Sequence, residues 1–132
     1  MTPLEATQLP RALRLSTHFR GGYRVAVLSG ELDMASVPEL REQLLGVLTP
    51  DACRLIADLS QVSSCDASGL AVLVGTNRRA RLLGGVLRLA APAPPVIEAL
   101  RITGLDRQLD VFPTVSAAII GVAASPRIPD GR

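Results

Sequence analysis

The chain has no lysine and no tryptophan, and its 132 residues include only one histidine, one tyrosine and two phenylalanines. All 14 basic residues are therefore arginines. The aromatic content of 2% is too low to predict a stacking surface for single-stranded nucleic acid. The net charge of +2 arises from scattered arginines rather than from a basic run, so it does not predict a nucleic-acid partner either.

Cysteines and long apolar runs are equally scarce. Cys53 and Cys65 flank a predicted strand that holds them too far apart for a disulfide, so we expect free thiols and a reducing compartment. No apolar run approaches the ~20 residues of a membrane span, and the first residues lack a signal-peptide core. We therefore expect a cytoplasmic protein without membrane insertion. One histidine and two separated cysteines predict no metal site, and the chain has no glycine-rich phosphate-binding motif, so no cofactor is predicted.

The overall composition, with 48% hydrophobic and 20% charged residues, is typical of a soluble globular domain. Residues 1–11 contain two prolines and little periodicity, which predicts a flexible lead-in. Residues 122–132 are rich in proline and glycine, which predicts a disordered tail. A single folded domain is expected over residues 12–121.

Hydrophobic periodicity predicts strands that alternate with helices in this domain. Leu13–Arg20 and Tyr23–Leu28, separated by Gly21-Gly22, are typical of a β-hairpin with one half-exposed strand. Ser36 and Glu39 predict a capping box for a helix that ends near Thr49. The elements expected after it are a buried strand 54–59, a loop 60–65, a helix 67–83, a strand 86–90, a helix 94–103, a short strand 109–112 and a helix to residue 120. This order predicts an α/β domain with a mainly parallel sheet and one antiparallel edge hairpin.

Ser68 lies in the stretch SCDASGLAVL (64–73), between an acidic residue and a glycine. A serine hydrolase would have a glycine at the position of Asp66 and a histidine base after the serine, whereas His18 precedes it. A phosphoaspartate receiver with Asp58 as acceptor would require a lysine, which the chain lacks. The sequence therefore does not predict that this chain is an enzyme.

Two interpretations of Ser68 remain open on the residues alone. Ser68 could simply belong to the first turn of a helix that Asp66 caps. Alternatively, Ser68 could be modified within a contact surface for another protein. Ala71 and Val72 would then offer small apolar side chains facing away from the sheet, although a neighbouring helix could also cover them, and Gly69 would let another chain approach closely.

Four motifs together resemble the STAS domain of bacterial anti-sigma factor antagonists, over residues 13–120. They are Gly30-Glu31-Leu32-Asp33, Asp58-Leu59-Ser60, Asp66-Ala67-Ser68-Gly69-Leu70 and Arg101-Ile102-Thr103-Gly104-Leu105-Asp106. The resemblance implies a STAS-like mixed sheet with helices packed on it. It also implies a binding protein whose partner is an anti-sigma factor, which is a serine kinase with a histidine-kinase-like ATP-binding fold.

The resemblance further implies a switch between partners. The unphosphorylated antagonist binds the kinase and frees the sigma factor, phosphorylation releases the antagonist, and a serine phosphatase resets it. The acceptor is the serine directly before the glycine, Ser68, and Asp33 would lie near it and contact the kinase. Gly69, Ala71 and Val72 are the other expected contacts, with Asp66 as a cap that can also take part. The same domain occurs as a docking subunit of membrane transport or stress-sensing complexes, which is the alternative.

Charge explains why such a switch would work. A phosphate adds roughly −1.5 to −2 charges, which the N-terminus of a helix tolerates. On the sequence alone, we expect the phosphate to lie on the amides of the first helical turn. A partner bound near Asp33 and Asp66 would experience repulsion and a desolvation cost, so binding should be lost while folding is retained.

Overall fold

The computed structural model describes residues 13–121, and both the predicted lead-in, 1–11, and the predicted tail, 122–132, lie outside that range. The elements follow the predicted order, with a 3-10 turn at Leu105–Arg107. In chain order they are β1 (Arg14–Arg20), β2 (Tyr23–Leu32), α1 (Val37–Val47), β3 (Arg54–Cys65), α2 (Ala67–Leu82), β4 (Val86–Ala90), α3 (Pro94–Thr103), β5 (Asp110–Phe112) and α4 (Val115–Ile120).

The five strands form one sheet in the order β1-β2-β3-β4-β5. β1 runs antiparallel to β2, and the other neighbours are parallel. Gly21 and Gly22 join the hairpin with φ of +61° and +84°, a left-handed conformation that glycine adopts without a steric cost. The predicted mixed α/β fold with an N-terminal hairpin is confirmed.

Apolar residues on both faces of the sheet form the core. Leu55 and Ile56 are adjacent in β3, and both are fully buried on opposite faces. The face of Leu55 packs against α1, α2 and α3, and the face of Ile56 packs against α4. Burial of each such side chain contributes about 1.5–3 kcal/mol. This two-sided burial explains why the strand is almost entirely apolar between Arg54 and Leu59.

Two strands are longer than the sequence predicts. β2 continues to Leu32 instead of ending at Leu28, and residues 60–65 belong to β3 instead of forming a loop. Leu32 and Val62 are buried in these extensions, which pair with each other in parallel after two register shifts. The extensions bring Leu32 beside Cys65, so the residues that follow the two strands, Asp33 and Asp66, emerge at the same edge of the sheet.

The start of α1 also differs from the prediction. The Ser36 side chain makes no capping bond to the helix. Instead, Asp33 Oδ1 accepts a hydrogen bond from the Ser36 N–H at 3.1 Å, and Ser36 Oγ accepts one from the Asp33 N–H at 3.0 Å. This reciprocal pair has the form of a capping box shifted three residues towards the N-terminus, with Asp33 in the capping role.

The other helix ends agree with the sequence. Asp66 precedes α2, Gly104 follows α3 with φ of +75°, and Thr114 Oγ1 caps α4 by accepting a hydrogen bond from the Ala117 N–H at 3.0 Å. No helix within residues 13–121 has the length and apolar character needed to cross a membrane.

Candidate functional site

The first turn of α2 is organised by one carboxylate oxygen. Asp66 Oδ1 accepts hydrogen bonds from the Ser68 N–H at 2.9 Å, the Gly69 N–H at 3.2 Å and the Ser68 hydroxyl at 2.5 Å. The hydroxyl bond is the main reason that the pKa of Asp66 is lowered, and the backbone N–H groups of Gly69 and Ser68 lower it further. The predicted cap is confirmed, and Ser68 is half-buried with its hydroxyl held by the cap.

Gly69 has a different role from the one expected. It is buried, and a Cβ added there would lie 2.5 Å from the Leu32 carbonyl oxygen and 2.8 Å from the Leu32 Cβ. The segment that approaches Gly69 is therefore the end of β2, and the expectation that this glycine makes room for another chain is wrong. The close approach holds the start of α2 against the end of β2.

Asp33 lies in the turn that follows Leu32, next to the start of α2. The Asp66 N–H donates to the Leu32 carbonyl at 3.1 Å, and the backbone N–H of Met34 contributes to the lowered pKa of Asp66. Asp33 is half-buried, whereas the Met34 side chain is 75% exposed. The structure therefore brings the Asp33 turn, Asp66 and Ser68 to one edge of the sheet, as the resemblance implied for Asp33 and Ser68.

The residues of α2 after Ser68 divide between the core and the surface. Ala71 is exposed, as expected, and Gly75 is also exposed. Val72 is only 5% exposed, so the expectation that it faces outward is wrong. α1 packs beside this part of α2 and covers Val72, which is the possibility that the sequence left open for this surface.

A groove about 190 Å³ in volume runs between the two helices, and we call it the α1–α2 groove. Its lining residues are Arg41, Leu45, Ala71, Val72, Gly75 and Thr76. Arg41 and Leu45 are not among the site residues that the sequence predicts. The sequence does offer one indication, because Leu45 is a large apolar residue on the polar side of its helix. In the structure, Leu45 is 43% exposed.

Both cysteines are free thiols, as expected. Burial, together with the nearby Asp66 charge, raises the pKa of Cys65 to about 12, so this thiol stays protonated near neutral pH. Within residues 13–121, no group of three or more histidine, cysteine or acidic side chains could hold a metal ion.

The geometry at Ser68 suits the transfer of a chemical group from another molecule to the Ser68 hydroxyl. Its hydrogen points at the Asp66 carboxylate, which leaves the oxygen lone pairs available for attack on an electrophile. The amides of Ser68 and Gly69 are already bonded to Asp66. The expectation that a phosphate would lie on these amides is therefore corrected, because a phosphate on Ser68 would adjoin a carboxylate that occupies them.

Comparison with known proteins agrees with this architecture. The family model described as the STAS domain matches residues 14–118. An anti-sigma-B factor antagonist of Bacillus subtilis (strain 168) is 37% identical over 84 residues, which cover 64% of this chain and 76% of that protein. The crystal structure of an anti-sigma factor antagonist from Mycobacterium paratuberculosis has a TM-score of 0.76 at 27% identity, covering 86% of this chain and 96% of that one.

A further solved structure resembles the chain in fold and size. The anti-sigma factor antagonist SpoIIAA of Bacillus, in its unphosphorylated form, has a TM-score of 0.65 at 25% identity, covering 84% of this chain and 96% of that one. The STAS family model spans nearly all the residues that the structure describes, from β1 into α4. The chain therefore belongs to the STAS-domain family.

Proposed function

We propose that this protein is an anti-sigma factor antagonist, which binds an anti-sigma factor and so releases a sigma factor, and that phosphorylation of Ser68 ends this binding. The observation that carries the proposal is the placement of the Ser68 hydroxyl in the first turn of α2, oriented by Asp66. Its relatives named anti-sigma factor antagonists support the binding role.

The proposed chemistry is phosphoryl transfer from ATP held by the partner, a serine kinase with a histidine-kinase-like ATP-binding fold. Ser68 Oγ attacks the γ-phosphorus, a new O–P bond forms, the bond to the ADP oxygen breaks, and the hydroxyl proton leaves towards the Asp66 carboxylate or solvent. Because its pKa is lowered, Asp66 is a weak base, so its main contribution is to orient the hydroxyl. Such a role suffices, since phosphoryl transfer depends mainly on positioning and charge stabilisation.

Charge repulsion would weaken the binding of the phosphorylated protein to its partner. A phosphoserine at position 68 would add about −1.5 to −2 charges beside Asp66 and the Asp33 turn. A resulting penalty of about 2.8 kcal/mol corresponds to a roughly hundredfold loss of affinity. The fold should persist, because Ser68 is only half-buried and its hydroxyl is bonded to the exposed cap residue Asp66. A serine phosphatase would then restore the binding form.

The test of the acceptor is incubation with the candidate kinase and ATP, followed by intact-mass measurement. The wild-type chain should gain one phosphate, Ser68→Ala should gain none, and Ser64→Ala should behave as wild type, since Ser64 is exposed at the end of β3. Labelling of Ser68→Ala to the wild-type level would show that the site is elsewhere. If the chain instead remains unlabelled and co-purifies with a transport ATPase, the docking-subunit alternative gains support.

A further inference from the structure

The surface around Ser68 continues along α2 into the α1–α2 groove. Ser68, Val72, Gly75 and Arg79 follow one another at spacings of four, three and four residues, so they form one stripe on the helix. Val72 and Thr76 lie at the bottom of the groove, Arg41 and Leu45 line its α1 side, and Ala71 and Gly75 line its α2 side. A protein that covers Ser68 from outside would therefore meet the open end of this groove.

The size and lining of the groove suit an aliphatic side chain. Its volume of about 190 Å³ exceeds the ~150 Å³ of an apolar cavity that admits benzene. A Cβ added at Gly75 would meet no atom within 4 Å, so the space beside this residue is open. Leu45 and Ala71 supply exposed apolar surface on the two sides, which a partner would remove from water.

Charged side chains of both signs lie along this surface. Asp33 and Asp66 lie near Ser68, whereas Arg41 lines the groove and Arg79 lies on the stripe beyond Gly75. Within residues 13–121, neither of these two arginines forms an ion pair. Both guanidinium groups therefore remain available for a carboxylate of another protein.

We infer that the α1–α2 groove is a second docking site for the anti-sigma factor, and that its occupant is an acidic, aliphatic segment of that protein. The segment inserts an aliphatic side chain beside Gly75 and places carboxylates against Arg41 and Arg79. This inference rests on the proposed function and extends it, because it names the chemistry of the partner and a contact away from the phosphorylated serine.

A second contact would also explain how one hydroxyl is aligned for transfer. Contacts at Ser68 alone would let the partner pivot about the start of α2. An anchor near Gly75, two helical turns further along, would fix the direction of approach and bring Ser68 Oγ into line with the γ-phosphate. The groove therefore acts on binding and positioning, and its residues take no part in bond formation.

The first test fills the groove and leaves the acceptor intact. Gly75→Leu should fit the fold, because the space is open and leucine favours the helix. Gly46→Leu is the matched control, since Gly46 is an exposed glycine in α1 that also has nothing within 4 Å of an added Cβ and does not line the groove. Affinity for the anti-sigma factor, measured by calorimetry, should fall at least about tenfold for Gly75→Leu and stay at the wild-type value for Gly46→Leu.

The second test reverses the charges and leaves the groove open. Arg41→Glu combined with Arg79→Glu should weaken binding and reduce its dependence on salt, because the attraction to acidic side chains is lost. Arg81→Glu combined with Arg107→Glu applies the same change of net charge at exposed positions away from the groove and should retain most of the affinity. In kinase assays, the groove variants should raise KM for the antagonist and also lower kcat, because the Ser68 hydroxyl is then less well aligned with the γ-phosphate.

The outcomes separate this inference from the proposed function. If the wild-type chain neither binds the anti-sigma factor nor accepts phosphate from it, the proposed function fails. If the wild type binds while Gly75→Leu and the double groove variant bind equally well, the groove is not a docking site and the proposed function stands. Equal losses for Arg41→Glu/Arg79→Glu and Arg81→Glu/Arg107→Glu would also overturn the inference, since only net charge would then matter.

Discussion

Gly69 and Gly75 lie on the same helix, but their surroundings are opposite. A Cβ at Gly69 would collide with the Leu32 backbone, whereas a Cβ at Gly75 would meet nothing within 4 Å. Gly69 joins α2 to the end of β2, and Gly75 leaves the α1–α2 groove open. Glycines on one helix can therefore serve packing within the domain or access from outside, and only the structure distinguishes the two.

The same division applies to the neighbours of these glycines. Leu70 and Leu73 are fully buried against the sheet, while Ser68 and Ala71 reach the surface. The buried face holds the start of α2 against the end of β2, and a charge added on the outer face should leave the core undisturbed. A phosphorylation switch requires this combination of a rigid base and a changeable surface.

The largest expected effect on stability comes from adding a methyl group on the buried face. Gly69→Ala should lower the free energy of unfolding by about 1–3 kcal/mol, because the Leu32 backbone must move to admit the new Cβ. Urea unfolding followed by circular dichroism measures this change. A variant as stable as wild type would show that the two elements separate easily, and the contrast between Gly69 and Gly75 would disappear.

A smaller loss of stability is expected when the Asp66 cap at the start of α2 is removed. Asp66→Ala should lower stability by about 1 kcal/mol, since the first turn of α2 loses its side-chain acceptor. Thr114→Ala, which removes the corresponding cap of α4, is the comparison variant. In the kinase assay, only Asp66→Ala should slow phosphorylation, because the Ser68 hydroxyl loses the group that orients it. An equal rate for both variants would argue against that role.

On the exposed face of α2, adding the same methyl group should raise the stability of the protein instead of lowering it. Gly75→Ala should raise the free energy of unfolding by about 0.5–1 kcal/mol, because alanine loses less backbone entropy than glycine in a helix and the space is free. Gly46→Ala in α1 should give a similar gain. Destabilisation by Gly75→Ala would mean that the groove is narrower than described.

The smallest effect on stability near neutral pH is expected from the Cys65 thiol. Its pKa is about 12 in the folded chain and 9.0 as the ordinary value, so the folded state prefers the protonated thiol. This contribution to stability is complete below pH 9 and is lost as the pH rises towards 12. Over this window, the free energy of unfolding of the wild type should therefore fall relative to that of Cys65→Val. Parallel pH profiles would show that the thiol is not desolvated as described.

The sequence predicts the parts of this fold that depend on local periodicity. The apolar run from Leu55 to Leu59 indicates a buried strand, and Asp66 indicates a helix start, because each signal is complete within a few residues. The extension of β3 was missed because residues 60–65 are mostly polar, and the strand pairing of Val62 depends on β2. Tertiary pairing of this kind overrides local propensity.

The candidate site shows the same limit. Ser68 could be singled out as a candidate because its neighbours are distinctive and match a family motif. The groove could not be predicted, since it requires Arg41 and Leu45 of one helix to lie beside Ala71 and Gly75 of another. For Gly69, the sequence predicted a close approach but not that Leu32 of the same chain makes it.

The most direct test compares the phosphorylated and unphosphorylated chains in two measurements on the same samples. One phosphate on Ser68 should lower affinity for the anti-sigma factor roughly a hundredfold, by about 2.8 kcal/mol, while the free energy of unfolding should change by much less. Equal affinity of the two forms would rule out a charge-based switch at Ser68. So would a loss of stability as large as the loss of binding, because the partner would then be responding to unfolding rather than to charge.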